Sequence, residues 1–99
     1  MKVKEAVEKL NGQIISIKEI HALYFSEAMS RAKMRAHGKD KISMSLMEGV
    51  LDEMDDWIVK VCQGIGWSED DCRNAQVACR TVADLSARLA VQYHGLKKY

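Results

Sequence analysis

The chain reads as an all-α protein: an antiparallel helical bundle of three long helices with a short N-terminal helix, in a single domain spanning residues 1–99. Three observations predict this class. Two serine-led capping boxes mark helix starts, glycines sit where helices should stop, and apolar residues recur at heptad spacing with no proline to interrupt them.

The elements follow from that punctuation. A first short helix is expected near 2–11, ending at the connector Asn11-Gly12. At Ser16-Ile-Lys-Glu19 the serine can accept from the amide three residues on, and Glu19 can reach back to the Ser16 amide. Ile15 and Ile20 flank this box as a hydrophobic staple, so a second helix is expected near 17–37, closed by His37-Gly38. The third is expected near 44–63, closed by Gly64 and Gly66. Ser68-Glu-Asp-Asp71 repeats the capping device, with Trp67 and Cys72 in the staple positions, and opens a fourth helix near 69–94 that is expected to stop at His94-Gly95.

The faces follow from about 100° of rotation per residue. In the third helix Met44, Met47, Leu51, Met54, Ile58, Val61 and Ile65 form one stripe, widened by Leu46, Val50 and Trp57. In the fourth, Cys72, Ala75, Cys79, Val82, Ser86, Leu89 and Tyr93 do the same. The second helix differs, since "IHALYF" from Ile20 to Phe25 is apolar around most of its circumference. Such a helix is either central or part of a subunit interface.

Composition narrows the function classes. With 47% hydrophobic and 29% charged residues the chain is that of an ordinary folded domain. A formal charge of +1 provides no global field toward nucleic acid or an anionic membrane, so either would have to be met by a local patch. Three cysteines without paired spacing fit a reducing cytosol better than a disulfide scaffold. No apolar run approaches the roughly 18 residues of a membrane span, and the expected location is cytoplasmic.

One feature asks for chemistry. Between Ser30 and Trp57 the charge reverses: Arg31, Lys33, Arg35, Lys39 and Lys41 come first, then Glu48, Asp52, Glu53, Asp55 and Asp56. Bases at the end of one helix and acids in the first half of the next complement both helix dipoles, and an antiparallel hairpin brings the two runs together. Glu48, Asp52 and Asp56 fall nearly opposite the apolar stripe and are expected in solvent. The basic run is also a candidate nucleic-acid patch, which would show a steep salt dependence.

The segment from Asp52 to Asp71, in which Glu53-x-x-Asp56 opens an apolar helix ending in glycine, resembles the second acidic segment of the all-α nucleotide pyrophosphohydrolases of the MazG type. The resemblance covers about a fifth of the chain, and the family's preceding E-E-x-x-E helix has no counterpart. It implies a magnesium or manganese site built on Glu53 and Asp56, with Glu48, Asp52 or Glu27 as further carboxylates, because one helix supplies too few oxygen ligands. The pairs Arg31/His37 and Arg88/His94 resemble the R-x4-6-H spacing of HEPN ribonucleases. Residues six apart lie about 120° around a continuous helix, so either pair converges only where the helix breaks.

His21 lies on the apolar face of its helix, where a core histidine bonded to a neighbour is the ordinary role. Cys72 and Cys79 stand two turns apart, roughly 10 Å along the axis, and read as small buried hydrophobes. With no Gly-rich phosphate loop, nucleophile motif or Cys-x-x-Cys pair, no cofactor is expected outside the metal alternative. The chain is therefore expected to be a small interaction or regulatory protein that binds another macromolecule, most readily protein, of a size that suits an accessory protein of a mobile element. Self-association as a homodimer is expected, with His21, Tyr24, Phe25 and Met29 as contact residues.

Overall fold

A computed structural model describes residues 1–10, 16–37 and 43–97, with side chains through residue 89. Among these residues there are four helices and no strand: α1 (Val3–Leu10), α2 (Ile17–Arg35), α3 (Met44–Gly64) and α4 (Glu69–Lys97). The all-α bundle of three long helices and one short one is thus the architecture of the chain.

The capping chemistry explains most of the boundaries. Ser16 Oγ accepts from the Glu19 amide at 3.4 Å, and Glu19 Oε2 accepts from the Ser16 amide at 2.8 Å, so the box is complete. Ser43 caps α3 by accepting from the Leu46 amide at 3.1 Å, and Ser68 caps α4 by accepting from the Asp71 amide at 3.2 Å. The end of α3 is a full Schellman motif: the Gly66 amide donates to Gln63 O, and the Trp67 amide donates to Cys62 O. Gly66 carries the left-handed φ of +91° that this motif requires.

Two expected stops are corrected. Helix α2 ends at Arg35 rather than 37, and the left-handed residue is His37 itself, at φ +51°; Gly38, expected in that role, lies outside the described residues. Helix α4 does not stop at His94-Gly95 but continues to Lys97. A glycine lowers helix propensity by about 1 kcal/mol without terminating a helix whose backbone bonds run on. The Asn11-Gly12 connector and Ile15 also lie outside the described residues.

Helix α3 is the hub, packing against each of the other three and most extensively against α4. Val50, Leu51, Met54, Trp57, Ile58, Val61 and Cys62 are buried along it. The central position foreseen as one option for α2 therefore belongs to α3, which has apolar side chains on both flanks of its stripe. Helix α2 contributes Ile20, Leu23, Tyr24, Ala28 and Ala32, and α1 contributes Ala6 and Leu10. Arg31 and Arg35 of α2 meet Trp57 and Glu53 of α3, so these helices run antiparallel. Arg80 of α4 meets Asp52 and Asp55, and Cys72 at the start of α4 meets Cys62 near the end of α3, so α3 and α4 are antiparallel too, and α2 and α4 are parallel.

On α4 the covered stripe departs from the expected one. Cys72, Ala75, Cys79 and Ala83 are buried, whereas Val82 is 42% exposed and Leu89 57% exposed, and Ser86 is also exposed. The spacing of three, four and four follows the 3.6-residue turn of a straight helix, while the heptad residues drift out of the contact.

Candidate functional site

Three surfaces could carry function: the acids of α3, the bases at the end of α2, and the apolar face that α2 and α4 share.

The structure splits the acids rather than gathering them. Glu53 pairs with Arg35 on the α2 side, and Asp56 pairs with Lys60 one turn on, at 2.8 Å. Asp52 and Asp55 face α4, where Arg80 Nη1 lies 3.1 Å from Asp52 and 2.8 Å from Asp55, and Arg80 Nε bonds Asp84 at 3.2 Å. Burial works against the Arg80 charge, but the hydrogen bond to Asp52 and the charges of Asp55 and Asp84 outweigh it and raise its pKa. Glu48 is solvent-exposed, as expected. Glu27, the possible extra ligand of the metal reading, is buried and already accepts from the Met1 amino group and from Arg31 Nε, each at 2.7 Å. Among the described residues no three His, Cys, Asp or Glu side chains come together as a metal-holding group. A shallow cleft of about 310 Å³ does lie beside Glu53 and Asp56, but Arg31 and Lys60 line it as well, with Val3 and Trp57.

Of the basic run, Lys39 and Lys41 lie outside the described residues. Arg31 bonds Glu27 and lies 5.8 Å above the Trp57 ring, Arg35 pairs with Glu53, and Lys33 is exposed. Two of the bases are thus engaged inside the protomer, and the charge switch is divided among pairs within α2 and α3, the Arg35–Glu53 pair between them, and the Arg80 cluster on α4. Of the HEPN-like pairs, Arg88 and His94 lie on the continuous helix α4, whereas α2 ends at Arg35 between Arg31 and His37, with Arg31 held by Glu27.

The interface candidates separate by exposure. Tyr24, expected at a contact surface, is fully buried and belongs to the core. Its ring has large apolar area to cover, and Phe25 meets it edge-on at 5.7 Å. Its hydroxyl is buried with no hydrogen-bond partner; burial, and then the Asp55 charge, push its pKa well above the usual phenol range. His21 is partly buried, its Nε2 likewise without a partner, with its ring edge-on to Phe25 at 6.0 Å. Phe25 packs partly against the core, and Met29 is 42% exposed.

The sequence did not foretell a groove on this side. A groove of about 400 Å³ runs between the start of α2 and α4, lined by Ile17, Trp67, Asp71, Asn74, Ala75 and Ala78. Farther along α4, Val82, Leu85 and Leu89 stand exposed. These α4 residues fall within about 100° of one another around the helix, and Ala75, Ala78, Val82, Leu85 and Leu89 keep a strict heptad. The signal was present in the sequence as an apolar stripe, but it was assigned to the core.

Cys62, Cys72 and Cys79 are free and buried, and burial pushes the Cys62 and Cys79 thiols up to about 12. They are packing residues rather than nucleophiles at neutral pH. No helix is long and apolar enough to cross a membrane among the described residues. Comparison with known protein families, characterised proteins and solved structures gave no match, so the functional reading rests on the residues themselves.

Proposed function

We propose that this chain is a small interaction protein that acts in the cytoplasm by binding another protein through the face shared by α2 and α4. One observation carries the reading: exposed Val82, Leu85 and Leu89 continue, at heptad spacing, into the groove floored by Ala75 and Ala78. A row of uncovered apolar side chains beside a groove is a surface that gains free energy from a helical partner. Most of the described acids and bases of the charge switch are held in ion pairs within the protomer, which leaves the apolar face as the better-supported surface. The buried free thiols accord with a reducing compartment.

The test is site-specific photocrosslinking in the producing cells, with p-benzoylphenylalanine in place of Leu85 and, as control, in place of exposed Glu8 on α1. Protein adducts from Leu85 and none from Glu8 are expected. Equal adducts at both positions, or none at Leu85, would overturn the reading.

A further inference from the structure

We infer that the occupant of the α2/α4 face is a second copy of this chain, docked with its α4 antiparallel to the first about a twofold axis near Ala78. This rests on the reading of that face as a protein-binding surface. It adds the identity of the partner and the register.

The face is self-complementary along its own length. At one end of α4 stand the knobs Leu85 and Leu89, 60% and 57% exposed; at the other lies the groove lined by Ile17, Trp67, Ala75 and Ala78. A twofold axis at Ala78 sets Leu85 opposite Asp71 and Leu89 opposite Trp67, so each copy's leucines enter the other's groove. The small side chains of Ala75 and Ala78 at the crossing let the two helices approach closely. Because the two ends exchange on one helix face, the contact closes as an isologous dimer and cannot propagate into a filament.

Charge favours the same direction. The groove end of α4 carries Glu69, Asp70 and Asp71, while the knob end carries Arg88. Antiparallel docking brings Arg88 beside the first turn of the partner's α4, where Asp70 lies on the same flank of the helix, twice per dimer; parallel docking would set acids on acids. The antiparallel order also opposes the two helix dipoles.

Sedimentation velocity on the full chain, from about 1 to 200 µM, tests the inference at affinities around micromolar. The weight-average mass should rise from 11.2 kDa toward twice that value. Leu85→Asp and Leu89→Asp, both at exposed positions, should keep the helical circular dichroism and raise the dimer dissociation constant by roughly a hundredfold. Arg88→Glu should raise it about tenfold, since the exposed pair occurs twice, and adding Asp70→Arg should recover most of that loss. A strict monomer at 200 µM overturns the second copy, as does a dimer that both leucine variants leave intact. A dimer untouched by Arg88→Glu, or not recovered by the paired exchange, overturns the antiparallel register. A monomer whose Leu85 still crosslinks to a different protein in cells removes the second copy while leaving the binding face standing; absence of any Leu85 adduct removes both.

Discussion

Arg80 Nη1 of α4 donates to Asp55 Oδ2 of α3 across 2.8 Å, while the other oxygen of that carboxylate is buried with no hydrogen-bond partner. Arg80 also holds Asp52 and Asp84, so one guanidinium bridges three carboxylates at the α3/α4 seam. A guanidinium suits this role because its fork of donors reaches several acceptors at once. Arg80→Met should cost about 2 kcal/mol, since it leaves a partly buried carboxylate unpaired beside two others. Arg80→Lys should lose about half as much. Urea denaturation at neutral pH measures both, and equal stability for Arg80→Met and the parent would show that solvent already screens the cluster.

Tyr24 offers a test of the opposite sign. Its hydroxyl is buried and unpartnered, so the folded state bears the cost of dehydrating it. Tyr24→Phe removes that group at nearly constant shape, and stability should hold or rise by about 1 kcal/mol. A fall of similar size in the thermal midpoint would instead reveal a bonded hydroxyl, with an ordered water between Tyr24 and Asp55 as the natural partner.

Gly64 permits α1 to lie against α3. A Cβ placed there would come within 2.5 Å of Val7 Cγ2. Alanine is favoured over glycine in a helix by about 1 kcal/mol, so the outcome depends on Val7. Gly64→Ala alone should destabilise by about 1 kcal/mol through displacement of α1. In a Val7→Ala background the same change should stabilise. A double-mutant cycle by chemical denaturation reads the sign reversal, and additive effects would refute the close approach.

Glu27 sets an acid limit. Burial opposes its charge, but hydrogen bonds from the Met1 amino group and Arg31 outweigh that and hold its pKa below the ordinary carboxylate value. With the folded pKa below the unfolded one, the contribution is fully present above about pH 4.3 and is lost as pH falls through the folded value. Glu27→Gln should therefore be less stable than the parent at neutral pH, by about 1 to 2 kcal/mol. The gap should close below the ordinary carboxylate range. Urea midpoints across pH measure it, and a gap independent of pH would mean the glutamate acts by packing alone.

The four helices, the complete Ser16/Glu19 box, the Ser68 cap and the Gly66 turn were legible in the residues because each depends on neighbours within one turn. The apolar stripe of α3 was legible for a related reason: periodicity alone places a helix's dry face. The His94-Gly95 stop was misplaced because a local glycine signal competes with the backbone bonds of a long helix, and here the helix continued. Tyr24 and Leu89 exchanged roles, the first moving from expected surface to core and the second from expected core to surface.

By itself, then, the sequence determined where helices begin, which faces are apolar and which charges sit at which helix ends, since these are properties of short stretches of chain. Tertiary structure alone decided which apolar face is covered and which base each acid meets. The physical reason is length and register. Helix α4 has 29 residues against 21 in α3 and 19 in α2, and its covered stripe is Cys72, Ala75, Cys79 and Ala83. Val82, Leu85 and Leu89 share the pattern of a core yet are left exposed among the described residues, and a periodic pattern carries no information about whether a neighbour is there.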